Sequence, residues 1–142
     1  MSTKRSLHIE AKCNPDEVRR AAEIAEDFAQ GEDWPLKTVF QVKLALEEVM
    51  MNIVSYAHED SDNHQIDLDL VSDAEALTIE ISDDGQPFDP LTDAPSPDLQ
   101  ASLEDRHVGG LGVHLVRTMM DEVHYRRERG RNLLTLVKQR DG

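Results

Sequence analysis

One pair of alternating segments, followed later by a second pair of strand-like runs, limits the architectures open to this chain. "QIDLDLVS" sets Ile66, Leu68 and Leu70 against Asp67 and Asp69, and "ALTIEIS" repeats the pattern with Leu77, Ile79 and Ile81. A period of two marks a strand with one face on a core. Only the "DAEA" turn region joins these two, which predicts a β-hairpin. "VHYRRE" and "NLLTLVKQ" predict a second strand pair around "RGR", and "SLHIEAK" predicts a short N-terminal strand through Leu7, Ile9 and Ala11. Strands joined by short turns give an antiparallel-rich sheet that must bury its apolar face under another layer.

Helical spacing supplies that layer. In "NPDEVRRAAEIAEDFAQ", Asn14 reads as the N-cap, Pro15 as the first helical residue, and acids fill the first turn. Val18, Ala21, Ala22, Ala25 and Phe28 or Ala29 form its apolar face. "GEDWP" ends this helix, and a second runs over Leu36–His58. "GGLGVHLVRTMMDE" predicts a third through Leu111, Leu115 and Met119, with Val116 and Met120 beside them. The order β-α-α-β-β-loop-α-β-β is that of an α+β two-layer sandwich, an antiparallel-rich mixed sheet with helices on one face, in one domain over residues 1–142.

Composition narrows the function classes. The formal net charge is −14, which argues against nucleic-acid binding, because counterion release needs clustered Lys and Arg. It equally disfavours an anionic membrane surface. Cys13 is the only cysteine, so neither an intrachain disulfide nor a Cys-based zinc cluster is available. No apolar run resembles a signal peptide or a membrane span, and a soluble cytoplasmic protein is expected. Any bound phosphate must then be neutralised by a metal ion, backbone N–H groups or a few placed cations.

Three short stretches carry candidate chemistry. In "LALEEVMMNIVSYAH", Val42, Leu46, Val49, Ile53 and Ala57 make an apolar stripe, and Glu48 and Asn52 stack one turn apart at its edge. That pair is either solvated surface or a metal and proton-transfer site. In "ISDDGQP", Asp83 ends an apolar strand, placed to accept a hydrogen bond from an exocyclic amine, and Gly85 permits a sharp turn or a close approach. Asp-Asp-Gly is also ordinary turn chemistry. In "VGGLGVHLV", Gly109, Gly110 and Gly112 lie at a predicted helix start, where free N–H groups suit an anion. No Lys-Ser or Lys-Thr follows, so this is not a Walker loop. Between the last two stretches, Asp83–His107 is polar and holds Pro87, Pro90, Pro95 and Pro97, and a loop of this length inside a compact domain is usually functional or disordered.

Taken in order, E-x-x-x-N on a helix, D-x-G-x-P after a strand and G-G-L-G at a helix start resemble the N, G1 and G2 boxes of the GHKL ATPases. That superfamily includes the gyrase, Hsp90, histidine-kinase and MutL ATP-binding domains, whose fold is the Bergerat sandwich. "ALEEVMMNIVSYAH", "DDGQPFDP", "GGLGVHLVRTMMDEVHY" and "NLLTLVK" narrow the resemblance to the stand-alone anti-sigma-factor serine kinases, over almost the whole chain.

The resemblance implies specific roles. Glu48 would be the general base, with Glu47 beside it as the competing candidate, and Asn52 would hold Mg²⁺ through its side-chain oxygen. Asp83 would read the adenine amine of ATP, with Gly85 allowing the approach, and Gly110 and Gly112 would offer amides to the phosphates. Thr135 would support the adenine pocket, residues 88–109 would form a mobile ATP lid, and Arg106 lies within that lid. The implied function is an ATP-dependent serine/threonine kinase and anti-sigma factor. It would phosphorylate a sulfate-transporter-like (STAS) antagonist, sequester a sigma factor or analogous regulator, and form a homodimer. The alternative is a nucleotide-gated binding module without phosphoryl transfer. A metal reading of His58 and His64 around "EDSDN" is set aside, since loop histidines are commonly solvated.

Overall fold

The computed structural model describes residues 4–56, 64–89 and 115–140. Seven elements are defined: β1 (Arg5–Lys12), α1 (Pro15–Gly31), α2 (Leu36–Tyr56), β2 (Gln65–Ser72), β3 (Ala76–Asp83), β4 (Glu122–Glu128) and β5 (Arg131–Gln139). Residues 115–119 are also helical. The strands form one five-stranded sheet in the order β1-β2-β3-β5-β4. Every described pairing is antiparallel.

Local chemistry explains each element. α1 starts where the Asn14 side chain accepts the Glu17 N–H at 2.9 Å, with Pro15 following. Its buried positions are Val18, Ala21, Ala22, Ala25 and Ala29, so Ala29 rather than Phe28 completes the face. Asn14→Ala is expected to cost about 1 kcal/mol, the usual effect of losing a cap; a thermal or urea melt that matches the unaltered protein would refute the cap's contribution.

The β2–β3 turn is held by Asp73, whose carboxylate accepts the N–H groups of Glu75 and Ala76 at 2.8 and 2.9 Å. The β4–β5 turn puts Arg129 at φ 53° and Gly130 at φ 77°. Two consecutive positive φ angles match the twist of a two-residue hairpin. Arg129 is a non-glycine residue in the left-handed region, a local strain that this turn type imposes at its first central position.

Parity then sorts the sheet. Ile9 and Ala11, Ile66, Leu68 and Leu70, Leu77, Ile79 and Ile81, and Leu134 and Leu136 join one buried cluster with the inner residues of both helices. Both helices therefore cover the same face, with α1 packed against α2 and β1. Met50 and Met120 lie in that core, and Met51 and Met119 pack at its margin. The opposite sheet face carries His8, Asp67, Asp69, Glu80, Arg126 and Arg131, linked by contacts such as Arg131 to Asp67 at 2.8 Å. His8, Glu10 and Asp67 converge there, but Asp67 already holds Arg131. At the far end of the core, the Trp34 indole donates to Ser72 at 2.9 Å, and Arg140 stacks 3.9 Å from the ring centroid. No helix of the described residues is long and apolar enough to cross a membrane.

Candidate functional site

Glu48 and Asn52 sit on α2 at a spacing that stacks them on one side of the helix. Asn52 is buried, and Glu48 is half-buried beside it. Burial pushes the Glu48 carboxyl above the ordinary glutamate range, and a hydrogen bond from Asn52 pulls the other way. Glu48 Oε2 is buried without a hydrogen-bond partner. A desolvated carboxylate oxygen with unused acceptor capacity is costly to keep in a fold and is poised to take a proton. Glu47, by contrast, lines a shallow depression with Pro15, Val18, Arg19 and Met51. The helix thus separates the two acids: Glu48 faces Asn52 and Glu47 does not.

Asp83 closes β3 on the inner face and is buried. Its Oδ2 accepts the Gly85 N–H at 2.9 Å and the Asn132 side-chain N–H at 3.2 Å. Gly85 is itself buried, and its carbonyl accepts from Arg127 at 2.7 Å. The turn chemistry of "DDG" and the fixed carboxylate are therefore one arrangement. Beneath it lies Cys13, whose thiol burial pushes up to about 12, with the charges of Asp83 and Asp84 adding to the effect. It is a neutral packing group, not a nucleophile. His64 bonds Asp84 at 3.1 Å.

Asn132 organises this end of the sheet. Its side-chain oxygen accepts from Phe88 N–H at 3.0 Å, Tyr125 O–H at 2.6 Å and Arg127 at 3.2 Å. Its amide donates to Asp83 at 3.2 Å and to the Gln86 carbonyl at 2.9 Å. Five bonds from one buried side chain tie the 83–88 turn to β4 and β5. The register pairs Asp83 with Asn132, so the two share the inner face.

Thr135 is placed differently from the sequence expectation. It is three residues beyond Asn132 and pairs with Glu80 and His124, which puts it on the outer face, away from Asp83. The structure does not bring it to the site, and Asn132 takes the supporting position on β5. The run "NLLTLV" hides this parity, because Leu133 and Val137 are as apolar as Leu134 and Leu136. Tyr125 and Arg127 join the site from β4, and their shared i, i+2 phase with Val123 is the sequence signal that could have found them. Gly109, Gly110, Gly112, Arg106 and His58 lie outside the described residues, as does the expected lid beyond Asp89.

The fold is an α+β sandwich that sets a carboxylate and a carboxamide on the second helix and an aspartate at the end of a central strand. Residues 11–138 match the family model described as "Histidine kinase-like ATPase domain", and the chain belongs to that family. It is 36% identical over 112 residues to the serine/threonine-protein kinase BtrW of Bordetella bronchiseptica, covering 79% of this chain and 78% of that protein. It is 26% identical to the serine-protein kinase RsbW of Listeria monocytogenes, covering 87% of this chain and 79% of that one. To an anti-sigma F factor of Clostridium acetobutylicum it is 25% identical, over 99% and 95% of the two chains. Among solved structures, a Mycobacterium tuberculosis protein with RsbU and RsbW domains shares the fold. Its TM-score is 0.61 at 14% identity, covering 96% of this chain and 33% of that one.

Proposed function

We propose that this protein is an ATP-dependent serine/threonine kinase that phosphorylates a STAS-type antagonist protein and, when not so engaged, binds a sigma factor or analogous regulator. Family membership implies ATP use, and the similar proteins bearing kinase and anti-sigma names support the assignment. The observation that carries it is Glu48: a buried, unpartnered carboxylate oxygen next to a buried carboxamide.

In this reading Glu48 takes the proton from a serine or threonine hydroxyl. The hydroxyl oxygen bonds to the γ-phosphorus as the bond to the β–γ bridging oxygen breaks, and ADP leaves. The Asn52 side-chain oxygen is the kind of hard donor that Mg²⁺ prefers, and phosphate oxygens and waters would complete the set. Asn52 would hold that ion, which supplies charge neutralisation at the phosphates. Asp83, fixed by Gly85 and Asn132, would accept the adenine amine. Phe88 is buried and its N–H is bonded to Asn132, so a lid over residues 88–109 would start from an anchored residue. Gly110 and Gly112 would meet the phosphates through backbone N–H groups.

The test is direct. Purified STAS-domain proteins encoded by the same genome are incubated singly with this protein and Mg-ATP, and their intact masses are recorded. One phosphoryl group gained on a serine or threonine establishes the kinase. Nucleotide-dependent binding with no mass change in any of them would leave a gated binding module instead.

A further inference from the structure

The outward face of α2 is built unlike that of α1. α1 turns Asp16, Arg19, Arg20, Glu23, Asp27 and Gln30 to solvent, as a surface helix should. α2 turns out Leu36, Phe40 and Leu44 instead, exposed by 75%, 58% and 39%. These three lie on one i, i+4 row, and the next two members of that row are Glu48 and Asn52. Each step along such a row winds about 40° round the helix. The exposure therefore falls steadily along it, through half-buried Glu48 to Asn52 at 1%. An apolar track begins in solvent and ends at the carboxylate, with Phe40 roughly 12 Å along the axis from Glu48.

We infer that this row is the docking track for the protein that supplies the acceptor hydroxyl. The inference rests on the kinase reading and specifies where its substrate sits. A hydroxyl can reach Glu48 only if the body carrying it covers the surface next to Glu48, and Leu44 is one turn away on that surface. The charge fits too. On a chain of net charge −14, residues 36–46 contain no acid and two lysines, Lys37 and Lys43, which flank the row on either side. Lys43 also reaches Glu26 at 3.6 Å. The complementary partner presents an apolar patch edged by carboxylates beside its serine or threonine. The row offers on the order of 300 Å² of apolar surface, well short of the roughly 800 Å² per partner of a standard stable interface. That area suits a substrate that must leave after each turnover rather than a permanent second copy of this chain.

The experiment uses the full chain, Mg-ATP and the STAS-domain protein phosphorylated in the assay above. Leu36→Gln/Phe40→Gln keeps helix propensity while removing the apolar track. It is expected to raise KM for the acceptor about tenfold or more, the scale of a lost interface anchor, leaving kcat at saturation, ATP affinity and Tm unchanged. Phe40→Leu should restore KM. A photo-crosslinking p-benzoylphenylalanine introduced at position 40 should join this chain to the acceptor. Unchanged KM in the double variant, or a crosslink to a second copy or within the chain, would overturn the inference while leaving the kinase intact. Absence of transfer by the unaltered protein to any STAS-domain protein would instead sink the kinase reading, and this inference with it.

Discussion

Glu48→Gln is expected to lower phosphoryl transfer by roughly 10²–10⁴-fold, the range attributed to a positioned general base. The two side chains have the same shape, and the amide can still share a hydrogen bond with Asn52, so the site should persist. What disappears is the ability to accept a proton at the buried oxygen that has no partner. Rapid-quench measurement of acceptor phosphorylation at saturating Mg-ATP checks this, with calorimetry showing ATP still bound. Transfer at the unaltered rate would remove Glu48 from the mechanism. The pH dependence follows from the same group. Burial raises its pKa, so the acid limb of the rate profile should lie above that of an ordinary glutamate and vanish in the variant. The stability sign runs the opposite way: a carboxyl raised on folding stabilises below its unfolded value, and that contribution is lost as pH rises through the folded one. At neutral pH the variant should therefore melt no lower than the unaltered protein.

Asp83→Asn should cost on the order of a hundredfold in Mg-ATP affinity, from hydrogen bonds reversed rather than removed. The Oδ2 position must accept from both Gly85 and Asn132. The single amide oxygen will take that position, leaving the new NH2 group where adenine's amine would donate. Two donors then face each other. Calorimetric titration with ATP and with inosine triphosphate separates this from general damage, because an acceptor at the purine 6-position should be tolerated better in the variant. Equal loss of both nucleotides, or no loss of ATP, would refute the adenine-reading role. Asn132→Ala is the structural control: it removes the acceptor shared by Phe88, Tyr125 and Arg127 and the donor to Asp83 and Gln86, and a destabilisation of about 2–4 kcal/mol is expected.

Local signals were strong where one residue type does one job. Asn14 and Pro15 mark the start of α1, and alternating Ile and Leu define β2 and β3 to within a residue. Parity was weak where both faces look apolar, as in "NLLTLV", which is why Thr135 stood in for Asn132. The same ambiguity affects the segment around Leu115: two i, i+4 rows are apolar, and the structure buries Val116 and Met120 while leaving Leu115 exposed. Glu48 and Asn52 were legible as a pair, but their burial was not, because the depth of a helix edge depends on what packs across it. Asn132 was illegible for a similar reason: its partners come from three separate segments brought together only by strand register.

The ladder between β1 and β2 has a consequence for how the chain comes together. Its tightest pairing, Lys12 with Gln65, encloses both helices. The other strand pairs formed by chain neighbours close through short turns, at Asp73–Glu75 and Arg129–Gly130. During synthesis β1 precedes the other described strands, yet β2, its neighbour among them, appears after α1 and α2 are complete. The first-made strand must therefore wait, unpaired, until the helix that carries Glu48 has already been made.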